Sequence, residues 1–293
     1  MGRVGEGSAS TMHIALVSGP LNSPTHRAMS CLVGPLEAMG HEVALVEFGK
    51  RPDWDYDIVH YATYQMRDSY SLRGGLQSAN VWNIPTDKSA LVPIRLRKYG
   101  YHLVMTDSSI VTMMLGQRGW TDVRLVPLAV DMSSFTPLDT PSGEFAVGVL
   151  GADCPSKRWH VVEEACRAAG VAYKPFIYST TRKEYEWNVV SDVYAHVHCL
   201  VTASFTDTTS LVGMEAMMCG RPVITTRSEG MLNLATSKRI TLFDGSVKDL
   251  VRAIQDVRGD YEGACWHLHN TIHDIPSPEQ AATAYLSAWQ DYL

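Results

Sequence analysis

No uninterrupted apolar stretch in the 293-residue sequence approaches the ~20 residues that a membrane-crossing helix needs, so stable membrane insertion is not expected. Basic runs of the kind that mark nucleic-acid arms are also missing, and a net charge of −6 offers no general attraction to a polyanion. A nucleic acid partner therefore gains no support from charge. The six cysteines (Cys31, Cys154, Cys166, Cys199, Cys219 and Cys265) lack metal-type spacing and mostly fall inside helix or strand patterns. They read as reduced thiols of a cytoplasmic protein. His269 and His273 stand at helical i, i+4 spacing, but no acid of an HExxH pattern lies between them, so no metal site is expected. Residues 1–11 carry no apolar segment of the secretory type and read as a loose tail. There is no repeat at a fixed period, and nothing in the sequence specifies an oligomeric state.

What is present is the composition of a well-cored globular protein, 45% hydrophobic and 19% charged. From Met12 onward, apolar strands alternate with turn-rich loops and helical stretches: HIALVS, EVALVEF, YDIVHY, ANVWNI, YHLVMT and VRLVP. That alternation predicts a parallel sheet covered on both faces. A stretch rich in Pro, Ser, Thr and Asp follows VRLVP and reads as a linker over 128–144. A second series then begins with FAVGVLGAD and runs through a helix at WHVVEEACRAAG, the strand AYKPFIY, a helix around TRKEYEWNVV, and the strands HVHCLVTA, PVITT and RITLF. Two doubly wound, Rossmann-like α/β domains are expected, 12–127 and 145–276, facing each other across a cleft. Residues 277–293 form an amphipathic helix with Ala282, Tyr285, Leu286 and Trp289 on one stripe. It is expected to cross back to the first domain.

The segment TDTTSLVGMEAMMCGRPVITT, residues 206–226, carries the most chemistry. A buried strand precedes it, and helix formers closed by Gly220 follow a polar loop. Residues 207–210 thus fall at a strand's carboxyl end and a helix's N-terminus, where free N–H groups and the helix dipole favour an anion such as phosphate. Glu215 lies about one and a half turns into that helix, within reach of a ribose hydroxyl. A buried glutamate otherwise needs a partner, and Arg221 is the neighbour to consider, with solvent exposure as the other plain alternative.

Three stretches together resemble the glycosyl transferases group 1 family of retaining, nucleotide-sugar enzymes with the GT-B fold. LVPLAVDMSSFTP is similar to that family's inter-domain joint, VGVLGADCPSKRWHVVEEA to its first strand and helix of the second domain, and TDTTSLVGMEAMMCGRPVITT to its acid-x7-Glu segment. The resemblance implies transfer of a sugar from a nucleoside diphosphate, a UDP-sugar first and a GDP-sugar next, to an acceptor. It implies retention at the anomeric carbon and needs neither metal nor other cofactor. A departing diphosphate gains negative charge, so a metal-free site requires cations and aimed N–H groups.

Residue by residue, Glu215 matches the family's ribose-binding acid, and Asp207 stands in place of the Glu that faces the sugar. Lys157 and Arg158 take the place of the phosphate-binding Lys. Thr208, Thr209, Ser210 and Leu211 replace the family's Gly-containing loop, and Gly19 belongs to the loop after the first strand, which touches diphosphate or acceptor. That loop reads equally well as an ordinary turn capped by Ser23 or Thr25. Asp87 matches an acceptor-side position and is expected to contact the acceptor or remove its proton. His60 matches the first His of the family's DxVHxH strand end, with a core histidine as its alternative, and the second His is Ala62 here. The family's strand-end Arg falls at Val149. These departures keep a second class open, a degenerate nucleotide-sugar-binding subunit, and the same fold also serves sugar-nucleotide epimerases and phosphorylases. A glycan or small metabolite is the preferred acceptor, and a modified nucleic acid base is the third candidate.

Overall fold

The computed structural model describes residues 10–21, 23–50, 55–68, 74–82, 91–178, 190–204, 209–227, 240–269 and 275–293. Two wholly parallel sheets organise them, with helices between successive strands, an α/β arrangement. The first sheet has the order β2-β1-β3-β4-β5-β6, built from β1 (His13–Ser18), β2 (Glu42–Glu47), β3 (Tyr56–Tyr61), β4 (Gly74–Asn80), β5 (Leu103–Thr106) and β6 (Val123–Leu125). Its helices are α1 (Pro24–Ala38), α2 (Leu91–Lys98) and α3 (Ser109–Gln117). The second sheet has the order β11-β10-β9-β7-β8, from β7 (Ala146–Ala152), β8 (Ala172–Tyr178), β9 (Cys199–Thr202), β10 (Val223–Thr226) and β11 (Ile240–Phe243). With it run α4 (Trp159–Ala169), α5 (Val190–Ala195), α6 (Leu211–Met218), α7 (Val247–Gly259), α8 (Tyr261–His269) and α9 (Pro278–Gln290).

Central strands of a sheet covered on both faces must be apolar throughout, and β9 and β10 are buried at every position. Pro175, which has no N–H for a ladder, is tolerated in β8 because that strand lies at the sheet's edge. In α4 the buried residues Val161, Val162, Ala165 and Cys166 form one stripe, which packs against α7. One apolar cluster extends from Ile14, Leu16 and Ile58 of the first sheet to Leu200 and Val223 of the second, and takes in Tyr285 and Trp289 of α9.

The fourth strand differs from the expectation. ANVWNI reads as a strand by its apolar content, yet the strand is GGLQSAN, Gly74–Asn80. Its polar side chains are buried because α9 supplies their partners: Trp289 donates its indole N–H to Ser78 Oγ at 3.0 Å, and the Tyr285 hydroxyl meets the Asn80 amide at 2.9 Å. The residues read as a helix around TRKEYEWNVV lie, up to 189, outside the described residues, as does the N-terminal tail up to residue 9. The helix that follows, α5, starts at Val190.

Candidate active site at the junction of the two sheets

In each sheet the strand order reverses once, between β1 and β3 in the first and between β7 and β9 in the second. Crevices outside the carboxyl ends of strands at such points are where doubly wound sheets hold ligands. The loop after β1 leads into α1, and the segments after β7 and β9 lead into α4 and α6. Lys157, Arg158, Thr209, Ser210 and Gly19 all belong to these connections.

Glu215 is the centre of the junction. It is 1% exposed, on a helix buried along nearly its whole length. Its partner comes from the other sheet: Arg27, one turn into α1, places Nε and Nη2 each 2.8 Å from Glu215 Oε1. The Tyr194 hydroxyl of α5 donates to Oε2 at 2.8 Å. Burial pushes the carboxyl above its ordinary range, while the Arg27 charge and the bonds from Tyr194 and Arg27 pull it back. The phenol of Tyr194 is pushed well up by burial and by the adjacent carboxylate, so it stays a donor. Both plain alternatives for Glu215 are thereby corrected: it neither faces solvent nor pairs with Arg221. Arg221 is itself 1% exposed and donates to three carbonyls, Tyr194 at 2.8 Å, Leu138 at 3.3 Å and Asp139 at 2.6 Å.

Residues 158–260 match the family described as glycosyl transferases group 1. These residues, about a third of the chain, are similar to a glycosyl transferases group 1 domain. The fold as a whole is that of GT-B glycosyltransferases. HepE from Anabaena, solved with UDP and glucose, superposes with a TM-score of 0.70 at 13% identity, covering 97% of this chain and 100% of that one. The catalytic domain of starch synthase IV from Arabidopsis thaliana, solved with ADP and acarbose, gives 0.73 at 11% identity, with 96% and 99% covered. Sucrose-phosphate synthase from Thermosynechococcus elongatus gives 0.69 at 14% identity, with 95% and 98% covered. No curated protein matches in sequence.

In the second sheet's part of the chain, the cations expected at the start of a helix sit just before it. Lys157 ends a short 3₁₀ turn, Pro155–Lys157, and α4 begins at Trp159. Between them Arg158 takes a left-handed backbone, φ 53 and ψ 40, the only positive φ at a non-glycine among the described residues. Such a conformation costs on the order of 1 kcal/mol and is a usual companion of ligand sites. The Arg158 side chain reaches the loop after β11 and donates Nη2–H to the Gly245 carbonyl at 2.7 Å. Ser210 is the N-cap of α6, its hydroxyl accepting from Gly213 N at 3.2 Å, with Leu211 buried behind it and Thr209 half-buried before it. Asp207, Thr208 and Asp87 lie outside the described residues.

On the first sheet, Gly19 donates its N–H to Thr25 Oγ1 at 3.2 Å while Ser23 caps α1. A Cβ at Gly19 would come within 2.4 Å of Thr25 Oγ1, so the close turn explains the glycine. His60 is fully buried, bonded through Nδ1 to Ser78 Oγ at 2.9 Å and enclosed by the rings of Tyr285 and Trp289. Burial pulls its pKa down to about 3. A neutral imidazole walled in by α9 fits the core-histidine alternative. Among the described residues no group of three or more His, Cys, Asp or Glu is arranged to hold a metal ion, and no helix is long and apolar enough to cross a membrane. Sequence reasoning missed Arg27 and Tyr194, the two partners of Glu215. They lie 188 and 21 residues from it, and no local pattern ties them to it.

Proposed function

We propose that the chain transfers a sugar from a nucleoside diphosphate sugar to an acceptor hydroxyl, with retention and without a metal ion. The donor lies against the second domain, 145–276, and the acceptor against 12–127. The carrying observation is Glu215, a buried and charge-paired carboxylate on the helix of the matched acid-x7-acid segment, at the junction of both sheets. It grips the pentose hydroxyls. Lys157 and the main-chain N–H groups at Thr209, Ser210 and Leu211 receive the diphosphate as its charge grows, a task for which helix N-termini and a nearby ammonium are suited. Asp207 faces the sugar. As the bond from the anomeric carbon to the diphosphate oxygen breaks, the acceptor oxygen bonds to the same face of the sugar, and its proton passes to the departing oxygen or to Asp87. UDP is the first candidate nucleotide and GDP the second. A glycan or small molecule is preferred as acceptor over a modified nucleic acid base, because the net charge of −6 repels the latter.

Thermal stabilisation by UDP-, GDP-, ADP- and TDP-sugars tests the donor, since a ligand at a hundred times its Kd adds about 2.7 kcal/mol to the folded state. Incubation with the stabilising sugar nucleotide and candidate acceptors, followed by NMR of the product's anomeric proton, tests transfer and retention. Binding without turnover of any donor overturns the transferase reading in favour of a binding subunit. Ser210 and Gly19 favour that second reading, because the Ser210 hydroxyl is spent on the α6 cap and the Gly19 N–H on Thr25 Oγ1.

A further inference from the structure

The donor reading leaves one contact unexplained. A carboxylate that grips pentose hydroxyls must present its oxygens to the ligand, yet Glu215 is closed to solvent and its Oε1 already accepts the Arg27 Nε–H bond, with Nη2 ion-paired to it at 2.8 Å. Arg27 comes from the opposite sheet and is 14% exposed, against 1% for the carboxylate. Tyr194, by contrast, approaches Oε2 from within the same sheet's layer and is fully buried. The Arg27 guanidinium occupies Oε1, with one N–H donated and a second nitrogen at ion-pair distance, where a pentose hydroxyl would donate.

The diphosphate has the opposite need. It develops negative charge and wants a guanidinium, which binds phosphate oxygens through paired N–H bonds. Arg158 directs its Nη2–H to the Gly245 carbonyl, and Arg221 is locked onto three carbonyls. Val149, the residue at the place of the family's strand-end Arg, lies in the middle of β7, fully buried and uncharged. Arg27 stands one turn into α1, beside the connection after β1, at the switch point of the first sheet.

We propose that Arg27 is a donor-binding residue parked on Glu215: the pentose hydroxyls of an arriving nucleotide displace it from the carboxylate, and it re-pairs with the diphosphate. The inference rests on the donor reading above and deepens it. The exchange leaves neither charge without a partner. Glu215 trades the Arg27 cation for O–H donors, and the guanidinium trades a carboxylate for a phosphate. Specificity follows from the pairing, because a nucleoside without phosphates strands the displaced cation, whereas a diphosphate receives it.

Calorimetric titration of the native chain and of Arg27→Met with the nucleoside and the nucleoside diphosphate of the best-stabilising base, uridine and UDP in the first instance, tests this. Arg27→Met should bind the nucleoside severalfold more tightly, since nothing competes for Glu215, while the advantage of the diphosphate over the nucleoside should shrink about tenfold or more. A merely structural role would weaken both ligands together. A nucleoside bound no better by the variant, or a diphosphate advantage equal to the native one, overturns the proposal. Should Arg27→Met fail to fold, Arg27→Lys carries the comparison: it keeps the charge but not the paired donors, so the nucleoside should still gain while most of the phosphate advantage stays. If the native chain binds none of UDP, GDP and ADP, the donor reading itself falls and this inference falls with it.

Discussion

Glu215 shows what one buried charge demands. Replacing it by Gln keeps an acceptor for Arg27 but removes the countercharge, and breaking a buried pair by deleting one partner costs about 3–5 kcal/mol, somewhat less where an amide retains a hydrogen bond. A drop of about 2–4 kcal/mol in a urea denaturation series is expected for Glu215→Gln, together with loss of nucleotide stabilisation. Two glycines give a cleaner contrast. A Cβ at Gly75 would sit 2.8 Å from the Asp57 backbone oxygen, so Gly75→Ala should destabilise by about 1–3 kcal/mol. Gly116, inside α3, has nothing within 4 Å of the added carbon, and Gly116→Ala should stabilise by about 1 kcal/mol. Opposite shifts in melting temperature are the readout, and a stabilised Gly75→Ala would contradict the packing at β3 and β4. At this scale the sequence was partly legible. Glu215 stands out because an acid interrupts an otherwise apolar helix, whereas Arg27 is an ordinary first-turn arginine whose significance exists only once the chain has folded.

Among the elements, the strands of the second sheet were readable because burial on both faces leaves them rich in apolar and β-branched residues, as β7, β9 and β10 show. The strand β4 was not, since Ser78 and Asn80 are poor strand formers whose presence is decided by a helix some two hundred residues later. That helix, α9, encloses His60 and makes its protonation costly. Above about pH 6.5 the imidazole is neutral in both folded and unfolded states. Below it, the unfolded chain takes up a proton that the folded chain refuses until about pH 3. Stability should therefore fall with acidification by about 1.4 kcal/mol per pH unit from this group, and His60→Leu should flatten the slope by that amount. Denaturant titrations between about pH 7 and pH 4 measure it. An unchanged slope in the variant would mean that the ring is hydrated and α9 undocked.

For the molecule as a whole, the Arg221 guanidinium fastens the joint after the first sheet to the second, through the Leu138 and Asp139 carbonyls. The chain then returns through α9 to β4. Both passages are stitched by side-chain bonds and lined by the same apolar cluster. Two sheets that share their interior cannot lose it separately. Differential scanning calorimetry should therefore record one cooperative endotherm, with a van't Hoff enthalpy matching the calorimetric value, where independent halves would give two. A protein built this way melts as a unit, so a lesion in either half lowers the thermal limit of both.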